Sequence, residues 1–407
     1  MEEKKKTVTI CDQIMGSGKT YDAIEKMKKS NRSFIYVTPF LDEVNRILDG
    51  VPNTYDPKIT YTHDYELGES NVHYKRDNLL SMSNQGLNLV TTHSLFSKLH
   101  RNDYKYFQKY DLILDEVLTP IKVIGMKIDD IKIAFNEGLL VLNEATHEVT
   151  FTGDEYNGKL YADLKQYCDT ANVIFVNDKL LAWAFPPEIF MSFNSVTVLT
   201  YLFEGSLLCN YFKYYNIPYV LVEKSEKEVA FMKKKIKGLL NIYEGPCNSM
   251  GDNRTAFSVN WLKRRNSQEF KKIKCTVAHL IERNFKSKSV NTGFTTFKEF
   301  KGKVKGKGYS RGFIPVNDRA TNKYSNKETM VYLANRYLNP NVIDFFRFGS
   351  VTVNEDNWAL AELLQWIWRG KIRLNEPMHL FIPSKRMRDL LQNWLNDYNH
   401  LEATSIV

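Results

Sequence analysis

The stretch "TVTICDQIMGSGKTYDAIEKMKK", residues 7–29, constrains this chain more than any other. Thr7 to Cys11 is an apolar, β-branched run that reads as a strand, and Tyr21 to Lys29 reads as a helix. Between them lie Gly16 and Gly18. A strand, a glycine-rich turn and a helix bring several backbone N–H groups onto one phosphate, and the helix N-terminus adds its positive end. In "GSGKT" (Gly16, Ser17, Gly18, Lys19, Thr20) the lysine is placed to reach β- and γ-phosphates and the threonine hydroxyl to ligate Mg²⁺. The strict spacing asks for glycine at position 13, where this chain carries Gln13. The strand–turn–helix context still reads as a phosphate-binding loop.

Such a loop works with an acidic strand end. "YDLILDEVL", Tyr110 to Leu118, is a buried parallel strand by its apolar run and closes on Asp115-Glu116. Asp115 is placed to hold Mg²⁺, directly or through water, and Glu116 to orient and activate an attacking water. "SFIYVTPFLDEVNRI" and "LNLVTTHSLF" supply two more strands, ending in Thr38-Pro39 and in Thr91-Thr92-His93. Strands alternating with helices argue an α/β fold around a doubly wound parallel sheet. Ligands sit at the carboxyl edge of such sheets, where these hydroxyl residues fall.

"MGSGKT", "VTPF", "TTHSLF" and "LDEV", in that order, resemble the first motor domain of superfamily 2 helicases. The wider pattern "TYLFEGS…RATNKYSNK…YLANRYLNP…QWIWRG" resembles a bacteriophage-encoded subgroup, over roughly residues 7–395. The resemblance implies two tandem RecA-like lobes, with ATP and Mg²⁺ bound in the cleft between them. It implies nucleic-acid contacts from Thr38, Pro39, Thr91, Thr92 and His93. In "VTVLTYLFEGS", the third-motif position, it makes Thr200 and Glu204 couplers of nucleotide state to strand grip, although the usual Ser-Ala-Thr is absent. "NTGFTTFKEF" resembles the fourth motif, with Thr295 and Thr296 on a backbone phosphate. Asn317, Arg319, Thr321 and Asn322 resemble the fifth, which touches strand and nucleotide. "ALAELLQWIWRGKIR", Ala359 to Arg373, reads as an amphipathic helix placing Gln365, Arg369 and Arg373 near one face. It resembles the sixth motif, a glutamine followed by arginine fingers worth ~10³–10⁵ in rate. Gly370 and Lys371 depart from the common spacing, so both arginines stay candidates, with Arg373 ahead.

The first lobe is expected over residues 1–208 and the second over 209–407, with strands at "YVLVE", "GFIPV", "NVIDFF" and "MHLFIP". The stretch 118–195 is longer than a crossover needs and reads as an insertion containing a β-hairpin at "GLLVLNEATHEVTFTGD". It is either a strand-separating element or scaffold closing the sheet.

Charge bears on partners. The net charge is +9, and residues 262–311 are strongly basic with Phe and Tyr interleaved. That region is either a solvated surface or a groove tracking a nucleic-acid backbone with aromatic stacking. DNA is favoured over RNA. Single-strand-binding or replication proteins are possible partners, and a monomer is expected by analogy with superfamily 2. No run of ~18 apolar residues is present to span a membrane. Five scattered cysteines and no secretion signal suit a cytoplasm, that of the host if the chain is phage-encoded. The sequence thus points to a DNA helicase or translocase acting in phage replication or recombination. Three alternatives share parts of this pattern. They are a remodelling translocase without net unwinding, a terminase-type packaging ATPase and a nucleotide-dependent binding module. The packaging ATPase would need a carboxylate cluster in the C-terminal half, where this chain is basic.

Overall fold

The computed structural model describes residues 6–64, 69–153, 156, 158–170, 172–316 and 323–397. It is an α/β protein with two separate parallel sheets, the fold class expected from the sequence. Two units divide the chain, one of residues 6–13, 18–223 and 338–353 and the other of residues 14–17, 224–337 and 354–397.

The first unit is built on a seven-stranded sheet. Its order is Tyr219–Val222, Val8–Asp12, Ser195–Thr200, Asp111–Asp115, Phe34–Thr38, Asn88–Thr92 and Thr54–Tyr55. Every pairing is parallel. Helices cover both faces of such a sheet, so its central strands are apolar without alternation. All five residues of Phe34–Thr38 are accordingly buried. One face packs on the helices Lys19–Lys29 and Leu41–Gly50 through Ala23, Met27, Val44 and Ile47. The other face belongs to a larger core that runs without a break into the stretch 118–195.

That stretch is an antiparallel sheet of five strands, in the order Ile121–Ile124, Leu180–Ala184, Asn172–Val176, Glu148–Phe151 and Leu140–Leu142. The hairpin read from the sequence pairs Leu140–Leu142 with Glu148–Phe151. Val173, Leu181 and Ala182 of this sheet share one buried cluster with Leu112 and Leu114 of the central sheet. The insertion is therefore continuous with the first unit's core.

The second unit carries a four-stranded parallel sheet, ordered Leu240–Ile242, Met378–Phe381, Thr329–Tyr332 and Thr292–Thr295. Its core includes Phe257, Phe270, Val277, Phe294, Phe300 and Tyr309. Of the aromatics interleaved with the basic residues, Phe270, Phe294, Phe300 and Tyr309 are thus buried. Lys303 lies over the rings of Phe270 and Phe300, at 5.5 and 5.6 Å. These rings fill the interior and are not a stacking platform, which corrects that part of the groove reading.

Several second-lobe expectations are corrected. "YVLVE" is an edge strand of the first unit, because Tyr219–Val222 pairs with Val8–Cys11. The boundary therefore falls after Glu223 and not after residue 208. "NVIDFF" lies in a helix, Pro340–Phe348. Pro340 pre-sets the first helical φ, and the Asn339 side chain accepts from the Asn341 N–H at 3.0 Å. "GFIPV" forms no strand, only one bridge from Phe313 to Phe294. Asn335 and Arg336 follow the Thr329–Tyr332 strand in irregular backbone. Asn335 is fully buried and donates to the carbonyls of Arg254 and Ala256, at 2.9 and 3.0 Å.

The helix Pro340–Phe348 belongs to the first unit. Phe345 and Phe346 are fully buried in that unit's main core, and Phe345 stacks on Tyr214 with centroids 4.8 Å apart. Truncating a buried phenylalanine removes its transfer free energy and leaves a cavity. Phe345→Ala is expected to destabilise the first unit by about 3–5 kcal/mol, read as a lower urea midpoint by circular dichroism. An unchanged midpoint would show the returning helix to be peripheral.

Candidate nucleotide site

The phosphate-binding turn has the backbone its glycines permit. Gly16 and Gly18 have φ of +78° and +93°, a region that L side chains rarely adopt. Gly18 sits at the N-cap of the helix Lys19–Lys29, so the helix begins at Lys19 itself. Gln13, where the strict pattern has glycine, acts through its backbone. Its N–H donates to the Thr200 carbonyl at 3.0 Å, and its carbonyl accepts from Lys19 Nζ. Both bonds are independent of the side chain, which is why glutamine is tolerated there.

Parallel pairing sets the groups around Lys19. Val8–Asp12 lies beside Ser195–Thr200, with Asp12 opposite Thr200, and Ser195–Thr200 lies beside Asp111–Asp115, with Leu199 opposite Asp115. All three strands run the same way, so their carboxyl ends share one edge. Asp12, Asp115 and Glu116 all act electrostatically on Lys19. Burial lowers the lysine to about 8, and the three carboxylates oppose that shift.

Asp115 is buried, and burial raises it to about 6. The Tyr36 hydroxyl donates to its Oδ2 at 2.7 Å and works the other way. His93 Nε2 lies 3.1 Å from the Asp115 carbonyl, a bond that requires the proton on Nε2. Glu116 ends the strand with φ of +63° and donates its N–H to the Leu199 carbonyl at 2.9 Å. A left-handed non-glycine backbone costs about 1–3 kcal/mol and collects at functional sites.

Asp12, Tyr36 and the His93 bond carry no role in the sequence reading. Asp12 Oδ2 accepts from the Phe203 N–H at 3.0 Å, and Oδ1 is buried without a partner among the described residues. The available signal was a carboxylate at the strand end directly before the glycine turn. Tyr36 lay hidden inside an apolar run, where a tyrosine reads as core.

Thr38 and Thr91 are buried at the ends of their strands, and the Thr38 hydroxyl is without a partner among the described residues. Pro39 is half-buried. Thr92 Oγ1 accepts from the Leu95 N–H at 3.3 Å, so it caps the short helix His93–Phe96. Thr200 is buried, whereas Glu204 is exposed on the turn Phe203–Gly205. Thr295 and Thr296 are buried, with hydroxyls that have no partner among the described residues, at the carboxyl end of a second-unit strand. Asn317, Arg319, Thr321 and Asn322 lie outside the described residues.

The shared helix face for Gln365, Arg369 and Arg373 is corrected. The helix spans Glu355–Ile367, and Arg373 lies on a separate turn, Lys371–Leu374. The helix closes at its C-cap, Trp368, and beyond it Gly370 packs so closely that a Cβ would meet Met378 Sδ at 2.4 Å and the Lys327 carbonyl at 3.1 Å. Arg369 is buried, and its Nη1 donates to the Pro315 carbonyl at 2.9 Å. It braces the 315–316 backbone. Gln365 and Arg373 are half-buried.

The donor set suits Mg²⁺, which takes one or two protein oxygens and completes its shell with phosphates and water. Thr20 and Asp115 would hold it. The two shifted groups set opposite pH limbs for the free protein. Below about 6 Asp115 is protonated and cannot ligate, and above about 8 Lys19 loses its charge. ATP turnover as kcat/KM is expected to be bell-shaped between those limits. Tyr36→Phe removes a bond that lowers Asp115, so its acid limb is expected to move to higher pH while the alkaline limb stays. An acid limb that does not move would dissociate Asp115 from the profile.

Residues 234–395 match the family model described as the YonV C-terminal Rossmann-like domain. Among solved structures, that of S. tokodaii Xpd4 aligns with 95% of this chain and 94% of its own, at 12% identity and a TM-score of 0.48. The SPbeta prophage-derived protein YonV of Bacillus subtilis (strain 168) is 37% identical over 415 residues, which cover 96% of this chain and 99% of that protein. With that identity across nearly the whole of both chains, this protein belongs to the YonV family.

Proposed function

We propose that the protein is an ATP-dependent nucleic-acid motor, a helicase or translocase of the superfamily 2 kind acting on DNA. One observation carries the reading: Lys19, at the start of a helix after a glycine turn, faces Asp12 at the end of the preceding strand and Asp115 and Glu116 two strands across the same sheet. That arrangement binds a triphosphate and positions its hydrolysis. The order of the helicase-like motifs along the chain supports a motor over a simple binding protein. The prophage origin of the relative supports a role in phage DNA metabolism.

In this mechanism the backbone N–H groups of residues 16–20 and the Lys19 ammonium hold the β- and γ-phosphates. Thr20 and Asp115 would hold Mg²⁺, which when bound would supply positive charge beside the phosphate oxygens. Glu116 accepts the proton of the attacking water as the γ-phosphorus bond to the bridging oxygen breaks, releasing ADP and phosphate. Gln365 and Arg373 are assigned to transition-state charge. Asp12, through its bond to the Phe203 N–H, ties the phosphate-binding strand to the turn that carries Glu204.

Steady-state ATP hydrolysis, alone and with single-stranded DNA, duplex DNA or RNA, tests the proposal. Strong stimulation by DNA, absent in Lys19→Ala, is expected. Nucleotide binding without stimulated turnover would instead mark a nucleotide-dependent binding module. Glu116→Gln should lower kcat by ~10²-fold or more with ATP still bound. The arginines should separate. Arg373→Ala is expected to lower kcat by ~10³-fold, whereas Arg369→Ala is expected to lower the urea midpoint by leaving the 315–316 carbonyls without their donor. An unchanged kcat in Arg373→Ala would remove Arg373 from the chemistry.

A further inference from the structure

We propose that the cavity between the His93–Phe96 turn and the inserted sheet is a nucleobase pocket. It takes one unstacked base of a single-stranded nucleic acid, with the adjoining phosphate on Lys98 and Lys122. The inference rests on the motor reading above and lies wholly within the first unit.

The cavity measures about 480 Å³ and is lined by His93, Lys98, Lys122, Gln166, Tyr167 and Trp183, among others. That volume falls within the ~300–1,000 Å³ of small-ligand sites. Trp183 and Lys122 are direct cross-strand partners, so the indole and the ammonium rise from one face of the sheet. The Trp183 ring is braced edge-on by Phe185, with centroids 5.0 Å apart. Lys122 lies 4.9 Å from the Tyr167 ring centroid and bonds the Tyr167 hydroxyl. Gln166, Ser94, Ser97 and Thr119 add donors and acceptors at the wall. Among the described residues, no carboxylate lines the cavity, whereas two lysines do.

An apolar aromatic body, a few hydrogen-bonding groups and an excess of positive charge select a planar, polar-edged anion. A nucleobase beside its phosphate has that chemistry, and contact between a base and an aromatic wall is tolerant of sequence. Placement favours a strand over a free nucleotide. His93 follows directly on Thr92, at the carboxyl edge of the central sheet where a translocating strand is expected to run. His93 also links the pocket to the nucleotide site through its 3.1 Å bond to the Asp115 carbonyl. A base that shifts the imidazole therefore acts on the residue preceding Glu116, giving a physical route from strand occupancy to ATP turnover.

Trp183 is the only tryptophan of the first unit, and the other five lie in the second. Strand binding can therefore be read by tryptophan fluorescence on the full chain. The probes are an oligodeoxythymidylate, the same strand with abasic residues, and thymidine monophosphate. Trp183→Phe keeps an aromatic ring against Phe185 and serves as the optical blank. Lys98→Ala combined with Lys122→Ala alters two exposed side chains and leaves the core intact. The intact strand is expected to quench the wild type and not Trp183→Phe. Abasic substitution should weaken wild-type binding by about tenfold, and the double lysine variant should lose about as much on the intact strand. The two losses should be less than additive when combined. Quenching retained in Trp183→Phe, or abasic and lysine effects that simply add, would overturn the pocket. Quenching by thymidine monophosphate but not by the strand would reassign it to a free nucleotide and overturn the proposal. DNA-stimulated ATPase with no Trp183 signal sinks the pocket and spares the motor, while failure of DNA both to bind and to stimulate sinks both.

Discussion

A lysine ammonium withdrawn from water is costly unless opposite charge stands nearby. Lys19 meets that condition because two strands end beside it, one carrying Asp12 and the other Asp115 and Glu116. The constraint runs both ways. Burial raises Asp12 and Asp115 towards their neutral forms, and the lysine opposes it. Each charge makes the others tolerable, and together they form a site whose electrostatics a bound triphosphate with Mg²⁺ would complete. The register that brings them together is set by the parallel pairing of Val8–Asp12 with Ser195–Thr200, and of Ser195–Thr200 with Asp111–Asp115.

From that edge the rest of the first unit can be followed outward. The backbone of Gln13 serves both the Thr200 carbonyl and the Lys19 ammonium. Asp12 holds the Phe203 N–H, and His93 holds the Asp115 carbonyl. The candidate nucleotide site is thus joined by single bonds to two loops of the first unit. The inserted sheet shares its hydrophobic core with the central one. A load on the insertion is therefore carried by packing, since close-packed interiors transmit strain.

The second unit is held together by different means. Its sheet has four short strands, and polar side chains do much of the bracing. Asn335 holds the Arg254 and Ala256 carbonyls while its own oxygen accepts from Arg386 Nη1 at 2.9 Å. Arg369 holds the 315–316 backbone, and Arg336 pairs with Glu362 at 3.2 Å over the Trp358 ring. Residues whose types suggest ligand contact are here committed to carbonyls of their own unit. Buried carbonyls need donors, and arginine supplies several at once.

The sequence by itself determined the local features. The glycine turn needs positive φ, so Gly16 and Gly18 announced it. The apolar runs ending in Thr38, Thr92 and Asp115 announced parallel strands, because burial on both faces leaves no polar alternation to read. Only the tertiary structure decided what depends on distant partners. Tyr219–Val222 joined the first sheet because an open edge beside Val8–Asp12 was there to be paired. "NVIDFF" became a helix because Asn339 and Pro340 start one and a core was waiting for Phe345 and Phe346. The face expected to join Gln365, Arg369 and Arg373 ended with the helix at Ile367, and Gly370 beyond it packs against Met378 and Lys327. Helical spacing knows nothing of such a contact. Periodicity reports which residues share a face of one element, but register, edge pairing and the fate of a buried arginine are settled by what packs against it.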